Sequence, residues 1–158
     1  MILIGGGARS GKSRFAQELA LKLSSDPTFV ATATASDEEM AERIERHKAD
    51  RDPKFNLIEV SNDLAEVIEK TPGLILVDCL TLWLANNMDE PDFANIIEAA
   101  KNRGSETIFV TNEVGEGIVP MHPVSRQFRD LSGRMNQEFA AASNEVYFLR
   151  FGIAEKLK

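Results

Sequence analysis

The sequence holds little cysteine, histidine or tryptophan: one Cys, two His and one Trp among 158 residues. A lone Cys79 can close no intramolecular disulfide, so the chain must rely on a packed core, and metal binding by histidine has no support. Long apolar runs are missing too. The longest, Leu74 to Ala85, is interrupted by Asp78 and falls far short of the ~20 residues that cross a bilayer as a helix. The N-terminal Met-Ile-Leu-Ile passes straight into glycines, with neither a basic n-region nor a cleavage site, and the expectation is a cytoplasmic protein without a membrane span. Positive charge is scarce: 18 Lys and Arg stand against 25 Asp and Glu, a net charge of -7. That balance repels a phosphate backbone, so no nucleic-acid partner is expected.

What is present is an average soluble composition, 43% hydrophobic and 27% charged, which excludes disordered and fibrous classes. A chain of this length buries roughly 68–70% of its unfolded surface around one core, so residues 1–158 are read as a single domain. Strand-length apolar runs occur at Met1–Ile4, Thr28–Ala33, Leu57–Val60, Leu74–Val77, Thr107–Val110 and Val146–Phe151. Between them, helical patterns are expected at Lys12–Leu23, Asp37–Ala49, Asp63–Lys70, Phe93–Arg103 and Ser125–Ala142. Ser36 before Asp37-Glu38-Glu39 reads as an N-cap, Gly104 as a C-cap, and Pro91, Pro120 and Pro123 as loop markers. Strands alternating with helices predict an α/β fold, a mostly parallel sheet flanked by helices on both faces.

Residues 6 to 13 read GGARSGKS directly after the first strand and at the start of the first helix. They match GxxxxGK[ST] through Gly6, Gly11, Lys12 and Ser13, the signature of a P-loop. The glycines let successive N–H groups turn inward on phosphate oxygens, and the helix start adds its positive dipole end. Lys12 would reach the β and γ phosphates and the Ser13 hydroxyl would ligate Mg²⁺. A chance match in a chain this long is about one in a hundred or rarer, and the flanking elements make it rarer. Four apolar residues ending in Asp78 have the form of a Walker B strand, whose carboxylate holds Mg²⁺ or its water. Many buried strands end in Asp only to cap a turn, so this reading leans on the P-loop. Glu59 and Glu113 share the same expected sheet edge.

On the helix expected at 37–49, Arg43, His47 and Arg51 stack along one stripe. Neighbouring cations favour the neutral imidazole, the form that can attack phosphorus. From spacing alone, a solvated basic face on which His47 is incidental explains the stripe at least as well. His122, between Met121 and Pro123, reads as a surface loop residue.

GGARSGKS at 6–13, RIERHKADR at 43–51, DCLTLWLANN at 78–87, TNEVGEGIVP at 111–120 and RQFRDLSGRMNQEFA at 126–140 together resemble one family. It is the bifunctional adenosylcobinamide kinase and adenosylcobinamide-phosphate guanylyltransferase of cobalamin biosynthesis. The resemblance implies a P-loop NTPase-like kinase that phosphorylates adenosylcobinamide, then transfers GMP from GTP to that phosphate through a guanylylated histidine. GTP and ATP would be substrates, Mg²⁺ the cofactor, and a homotrimer the assembly. His47 matches the family's histidine. By motif position, the nucleotide site comprises Gly6, Gly7, Ala8, Arg9, Ser10, Gly11, Lys12 and Ser13. It continues with Ala31, Thr32 and Ala33, with Lys48, Ala49, Asp50 and Arg51, and with Glu59 and Asp78; Ser13 and Asp78 would hold the metal. Arg43 and Arg51 would stabilise charge on the α-phosphate while Lys12 and Mg²⁺ neutralise departing pyrophosphate. Met88–Asn95 is shorter than the family pattern, which bears on the corrinoid-facing surface and leaves the nucleotide motifs intact.

Two other functions compete. A GTP-binding switch would need a guanine-reading NKxD, which is absent, and the DxxG at Asp130–Gly133 lies inside a helical pattern. A simple small-molecule kinase would use the P-loop and leave His47 idle.

Overall fold

The computed structural model describes residues 1–34, 38, 42 and 52–158. Their elements in chain order are β1 (Ile2–Gly6), α1 (Lys12–Leu23), β2 (Thr28–Ala31), β3 (Asn56–Glu59), α2 (Leu64–Lys70), β4 (Ile75–Asp78), α3 (Leu80–Asn86), α4 (Phe93–Asn102), β5 (Thr107–Val110), α5 (Pro123–Ala142), β6 (Glu145–Arg150) and β7 (Ile153–Lys156). The strands form one sheet ordered β3-β2-β4-β5-β1-β6-β7. Every pairing is parallel except that of β6 with β7.

The central strands are apolar throughout because both of their faces are covered, and the period of two sorts their side chains into two cores. Leu3, Ile75, Val77 and Phe109 join one core; Ile2, Ile4, Leu76, Ile108 and Val110 join the other. The first is closed by Ile68 of α2, Trp83 and Leu84 of α3, Ile96 of α4, and Met135 and Phe139 of α5. Phe109 and Phe139 meet edge to face at 5.0 Å, and truncating such a buried ring costs about 3–5 kcal/mol. The second core is closed by α1, whose Ala16 and Ala20 are fully buried. Small residues on that stripe seat α1 close against β1, β4 and β5, which draws its N-terminal end down onto the sheet edge.

Several local expectations need correction. The apolar run after Asp78 is a separate helix, α3, starting two residues beyond the strand with no Gly or Pro between them. Its helical period shows in Leu80, Trp83 and Leu84, all buried. Strand β7 was not expected: it is a short edge strand with Ile153, Glu155 and Lys156 exposed, so it carries no apolar run. Pro123 opens α5 at its first turn, where a missing N–H costs nothing, and His122 is its N-cap residue. Gly104 caps no helix. Helix α4 ends at Asn102 with Arg103 extended, and the Arg103 guanidinium instead binds Thr107 Oγ1 at 3.0 Å and the carbonyls of Thr71 and Gly73. The helix expected at Asp37–Ala49, its Ser36 cap, Arg43, His47, and Lys48, Ala49, Asp50 and Arg51 lie outside the described residues, apart from Glu38 and Glu42, which are helical.

Candidate nucleotide site

A parallel sheet gathers the carboxyl ends of its strands on one edge, where open α/β sheets bind ligands. The register places Ala31 opposite both Glu59 and Asp78, and Asp78 opposite Val110. Three residues expected from sequence thus stand in one row. At about 4.8 Å per strand, β2 lies about 14 Å and β3 about 19 Å from β1 and its loop, while β6 is immediately adjacent on the other side.

The loop from Gly6 to Ser13 is shaped by backbone packing. A Cβ on Gly6 would stand 2.7 Å from the Leu149 carbonyl oxygen of β6 and 2.7 Å from Ser10 Oγ. No other residue fits there. Gly11, at φ +92, precedes α1 and supplies no side-chain cap, so the helix's first N–H groups and its positive end are offered to an anion. Arg9 also takes a left-handed conformation, at φ +56. Ser10 Oγ is buried beneath the loop with no hydrogen-bond partner among the described residues. Lys12 is 7% exposed, and its ammonium donates to the Gly7 carbonyl at 3.0 Å across the loop. A buried cation laid across a glycine loop at an uncapped helix start fits the P-loop expectation from the sequence.

Asp78 ends β4 with its flank built by β2. Thr32 Oγ1 donates to the Cys79 carbonyl at 2.7 Å and accepts from the Cys79 N–H at 3.0 Å. The Thr32 N–H donates to the Asp78 carbonyl at 3.3 Å, and Asn86 Nδ2 donates to the Thr32 carbonyl at 3.1 Å. Every polar atom of Thr32 is therefore engaged inside the chain. Its part is to hold the peptide that follows Asp78, while Ala31 and Ala33, only partly buried, border the edge. Burial, and then the Asp78 carboxylate, push the Cys79 thiol up to about 12, so it stays protonated and is no nucleophile. Lys12 pulls the same thiol the other way, more weakly.

A polar cluster not read from sequence supports this edge. Thr81 Oγ1 accepts from the Asn112 N–H at 2.7 Å and lies 3.2 Å from Thr111 Oγ1. Thr111 Oγ1 donates to Asn136 Oδ1 at 2.7 Å, and Asn136 Nδ2 donates to the Asn112 carbonyl at 3.3 Å. The Glu113 N–H then reaches the Gly6 carbonyl at 3.0 Å. These contacts fasten α3, α5 and the segment after β5 to the start of the P-loop. Each member fell within a motif already quoted, but nothing in its spacing distinguishes a hydrogen-bonded Asn or Thr from a loop or helix-surface one.

Mg²⁺ needs only one or two protein oxygens, with phosphates and water completing its shell. The Ser13 hydroxyl and Asp78 carboxylate are hard oxygen donors and fit that requirement. No cluster of three or more His, Cys, Asp or Glu suited to a metal occurs among the described residues. None of their helices is long and apolar enough to cross a membrane.

The family model described as cobinamide kinase / cobinamide phosphate guanyltransferase matches residues 2–157. The bifunctional adenosylcobalamin biosynthesis protein CobU of Escherichia coli is 38% identical over 181 residues, covering 100% of this chain and 99% of that protein. The alignment is longer than the 158-residue chain, so that relative carries residues absent here. The bifunctional adenosylcobalamin biosynthesis protein CobP of Pseudomonas aeruginosa is 38% identical over 166 residues, covering 99% and 96%. Among solved structures, a prototypical ATPase from a type III secretion system superposes with TM-score 0.61 at 13% identity, over 98% of this chain and 56% of the other. The RadB recombinase does so with TM-score 0.53 at 14% identity, over 93% and 72%. At such identities these two likenesses speak for the fold alone.

Proposed function

The chain belongs to the cobinamide kinase / cobinamide phosphate guanyltransferase family, and from that premise we propose how its own residues carry both reactions within one domain. It is a bifunctional enzyme of cobalamin biosynthesis: an adenosylcobinamide kinase and an adenosylcobinamide-phosphate guanylyltransferase. The observation that carries the site assignment is the loop itself, with Gly6 closed against Leu149, an uncapped helix start, and Lys12 laid across it to the Gly7 carbonyl.

In the first step the loop amides and Lys12 hold the β and γ phosphates of ATP or GTP, and the hydroxyl of adenosylcobinamide attacks the γ-phosphorus in line. The bond from that phosphorus to the β-bridging oxygen breaks, the nucleoside diphosphate leaves, and the hydroxyl proton passes to solvent. Ser13 and Asp78 would hold Mg²⁺, which neutralises charge on the phosphates when bound. In the second step we assign His47 as nucleophile toward the α-phosphorus of GTP. A P–N bond forms, the α–β bridge breaks, and pyrophosphate leaves. An oxygen of adenosylcobinamide phosphate then displaces the imidazole, giving adenosylcobinamide-GDP. Ala31, Ala33, Glu59 and Lys48 to Arg51 would contact this nucleotide, while Thr32 positions the strand end. The chemistry of a lone histidine among Arg43, Lys48 and Arg51 supports this reading, as does the match over the whole chain.

A homotrimer is proposed as well, and exposed Ile118, Val119, Met121 and Val124 offer apolar surface for subunit contacts. The deciding experiment is incubation with adenosylcobinamide and ATP or GTP, followed by product mass. Formation of the phosphate from either donor, and of the GDP derivative from GTP alone, is expected. Phosphate without any GDP derivative would reduce the chain to a simple kinase.

A further inference from the structure

The turn joining β6 to β7 holds a residue that neither packing nor turn chemistry explains. Arg150 and Ile153 face each other in register, leaving Phe151 and Gly152 as a two-residue loop at φ +53 and +78. Positive φ at both central positions is the type I′ arrangement, which favours Asn, Asp or Gly first and Gly second. Gly152 suits its position; a phenylalanine at 151 does not, because its Cβ crowds the backbone there. Nor does the ring gain from burial, since Phe151 is 98% exposed. A position where local preference and solvation both oppose the residue present is where function is to be sought.

The surroundings of the turn say which function. The Gly152 N–H donates to the Ser10 carbonyl at 3.1 Å, and a Cβ on Gly11 would lie 3.4 Å from the Gly152 Cα. The hairpin is thus docked backbone to backbone on the P-loop, one residue from Phe151. Arg150 braces it, with its guanidinium 5.1 Å from the Phe148 ring centroid and 3.2 Å from Glu116 Oε1 beyond β5. An exposed aromatic face therefore stands beside the phosphate loop on the β6 side. The row containing Ala31 and Glu59 lies on the opposite side.

We propose that Phe151 is the stacking platform for the purine of the triphosphate whose β and γ phosphates occupy the P-loop during phosphoryl transfer. This rests on the kinase reading above and adds a base-binding residue to it. Stacking accepts any base, because every base has a π-face. The tip residues Phe151 and Gly152 carry no side-chain hydrogen-bonding group to read a base edge. ATP and GTP therefore serve the kinase step with efficiencies within about tenfold of each other. The guanine-specific chemistry of the second step is left to the β2–β3 side.

The test uses Phe151→Asn, which suits the turn better than the native residue and so should keep or raise the melting temperature. Its KM for both ATP and GTP in cobinamide phosphorylation should rise on the order of tenfold to a hundredfold, the usual scale of a lost base stack. Its kcat should change by less than about threefold, and inhibition by inorganic tripolyphosphate, which has no base, should be unaltered. Phe151→Tyr should restore the wild-type KM, and the indole of Phe151→Trp should be quenched on addition of ATP. An unchanged KM in Phe151→Asn overturns the proposal. So does an equal weakening of tripolyphosphate, which would make the residue a loop support. Sedimentation showing that Phe151→Asn dissociates an assembly formed by the wild type would make the ring a subunit contact and likewise overturn it. If wild-type protein does not phosphorylate cobinamide, the proposed activity fails, and quenching of Phe151→Trp by ATP, which needs no acceptor, still decides for or against the platform.

Discussion

Replacing Thr32 by valine keeps its shape and deletes one hydroxyl, and that hydroxyl joins the end of β2 to the peptide after Asp78. The wild-type oxygen donates at 2.7 Å to one end of Cys79 and accepts at 3.0 Å from the other, at a fully buried position. The substitution leaves the buried Cys79 N–H without that partner, while the Cys79 carbonyl keeps the N–H groups of Leu82 and Trp83. One orphaned buried N–H costs about 1–3 kcal/mol, which sets the size of the effect. For a protein of this size 1 kcal/mol moves the midpoint by about 2–4 °C, so melting should fall by roughly 2–12 °C. Thr32→Ser keeps the hydroxyl and loses one methyl, at about 1 kcal/mol. Denaturant titration and calorimetry of both variants, with kinase turnover measured well below the melting range, separate holding from catalysis. Thr32→Val should lose stability and also activity, because the Cys79 peptide that follows Asp78 is held less tightly; Thr32→Ser should recover both. If Thr32→Val unfolds within about 0.5 kcal/mol of wild type, the two hydrogen bonds do not hold the strand end, and this account of the edge is wrong.

Lys12→Ala and Ser13→Ala should each lower triphosphate-dependent turnover by more than about a hundredfold, measured as cobinamide phosphate formed; wild-type rates in both would remove the P-loop from the chemistry. Asp78→Asn, which keeps shape and removes charge, should slow the kinase and raise the Mg²⁺ concentration needed for half-maximal rate; an unaltered Mg²⁺ profile would return Asp78 to a turn cap. His47→Ala and His47→Asn should retain no label from α-labelled GTP, whereas wild type should hold an adduct stable in alkali and lost in acid, as P–N bonds are. Kinase activity should persist in both, since γ-phosphoryl transfer asks nothing of that imidazole; acid-labile label persisting in His47→Ala would rule the assignment out.

How much of this was legible in the sequence follows from how far each signal reaches along the chain. The P-loop was legible because its parts are contiguous and each has a task, and the fold class was legible because β1, β4 and β5 are buried on both faces and read as unbroken apolar runs. Helix α3 was hidden because its apolar residues continue those of β4, and nothing in DCLTLW marks where a period of two becomes one of 3.6. Strand β7 was hidden because an edge strand beside solvent needs no apolar face. Thr32 was expected in the site for its motif position, but its engagement with Cys79 is a contact across 47 residues that no local pattern encodes. The Thr81, Thr111, Asn112 and Asn136 cluster is hidden for the same reason.

The two reactions attack different phosphorus atoms, γ in the kinase step and α in the guanylyl step. A loop that grips β and γ oxygens presents the γ-phosphorus at its mouth. An acceptor aligned for that atom is not aligned for the α-phosphorus, two bridges further along the chain. The same site can serve both only if the nucleotide lies across it in two ways. The sheet edge provides two directions: β6 and its hairpin adjoin the loop on one side, and the Asp78, Ala31 and Glu59 row extends to about 19 Å on the other. With the base on Phe151, the γ-phosphorus faces the acceptor and the purine goes unread. With the base over the β2–β3 row, the α-phosphorus would be the atom presented to the proposed nucleophile, His47. On this reading donor promiscuity in the first step and guanine specificity in the second have one cause, because a stack on Phe151 accepts any base, whereas the second direction passes Glu59, whose carboxylate can accept from a base edge. Phe151→Asn should therefore leave the α-label on His47 at wild-type levels while it weakens the kinase. Equal loss in both half-reactions, measured on one preparation, would mean that the nucleotide lies the same way in each.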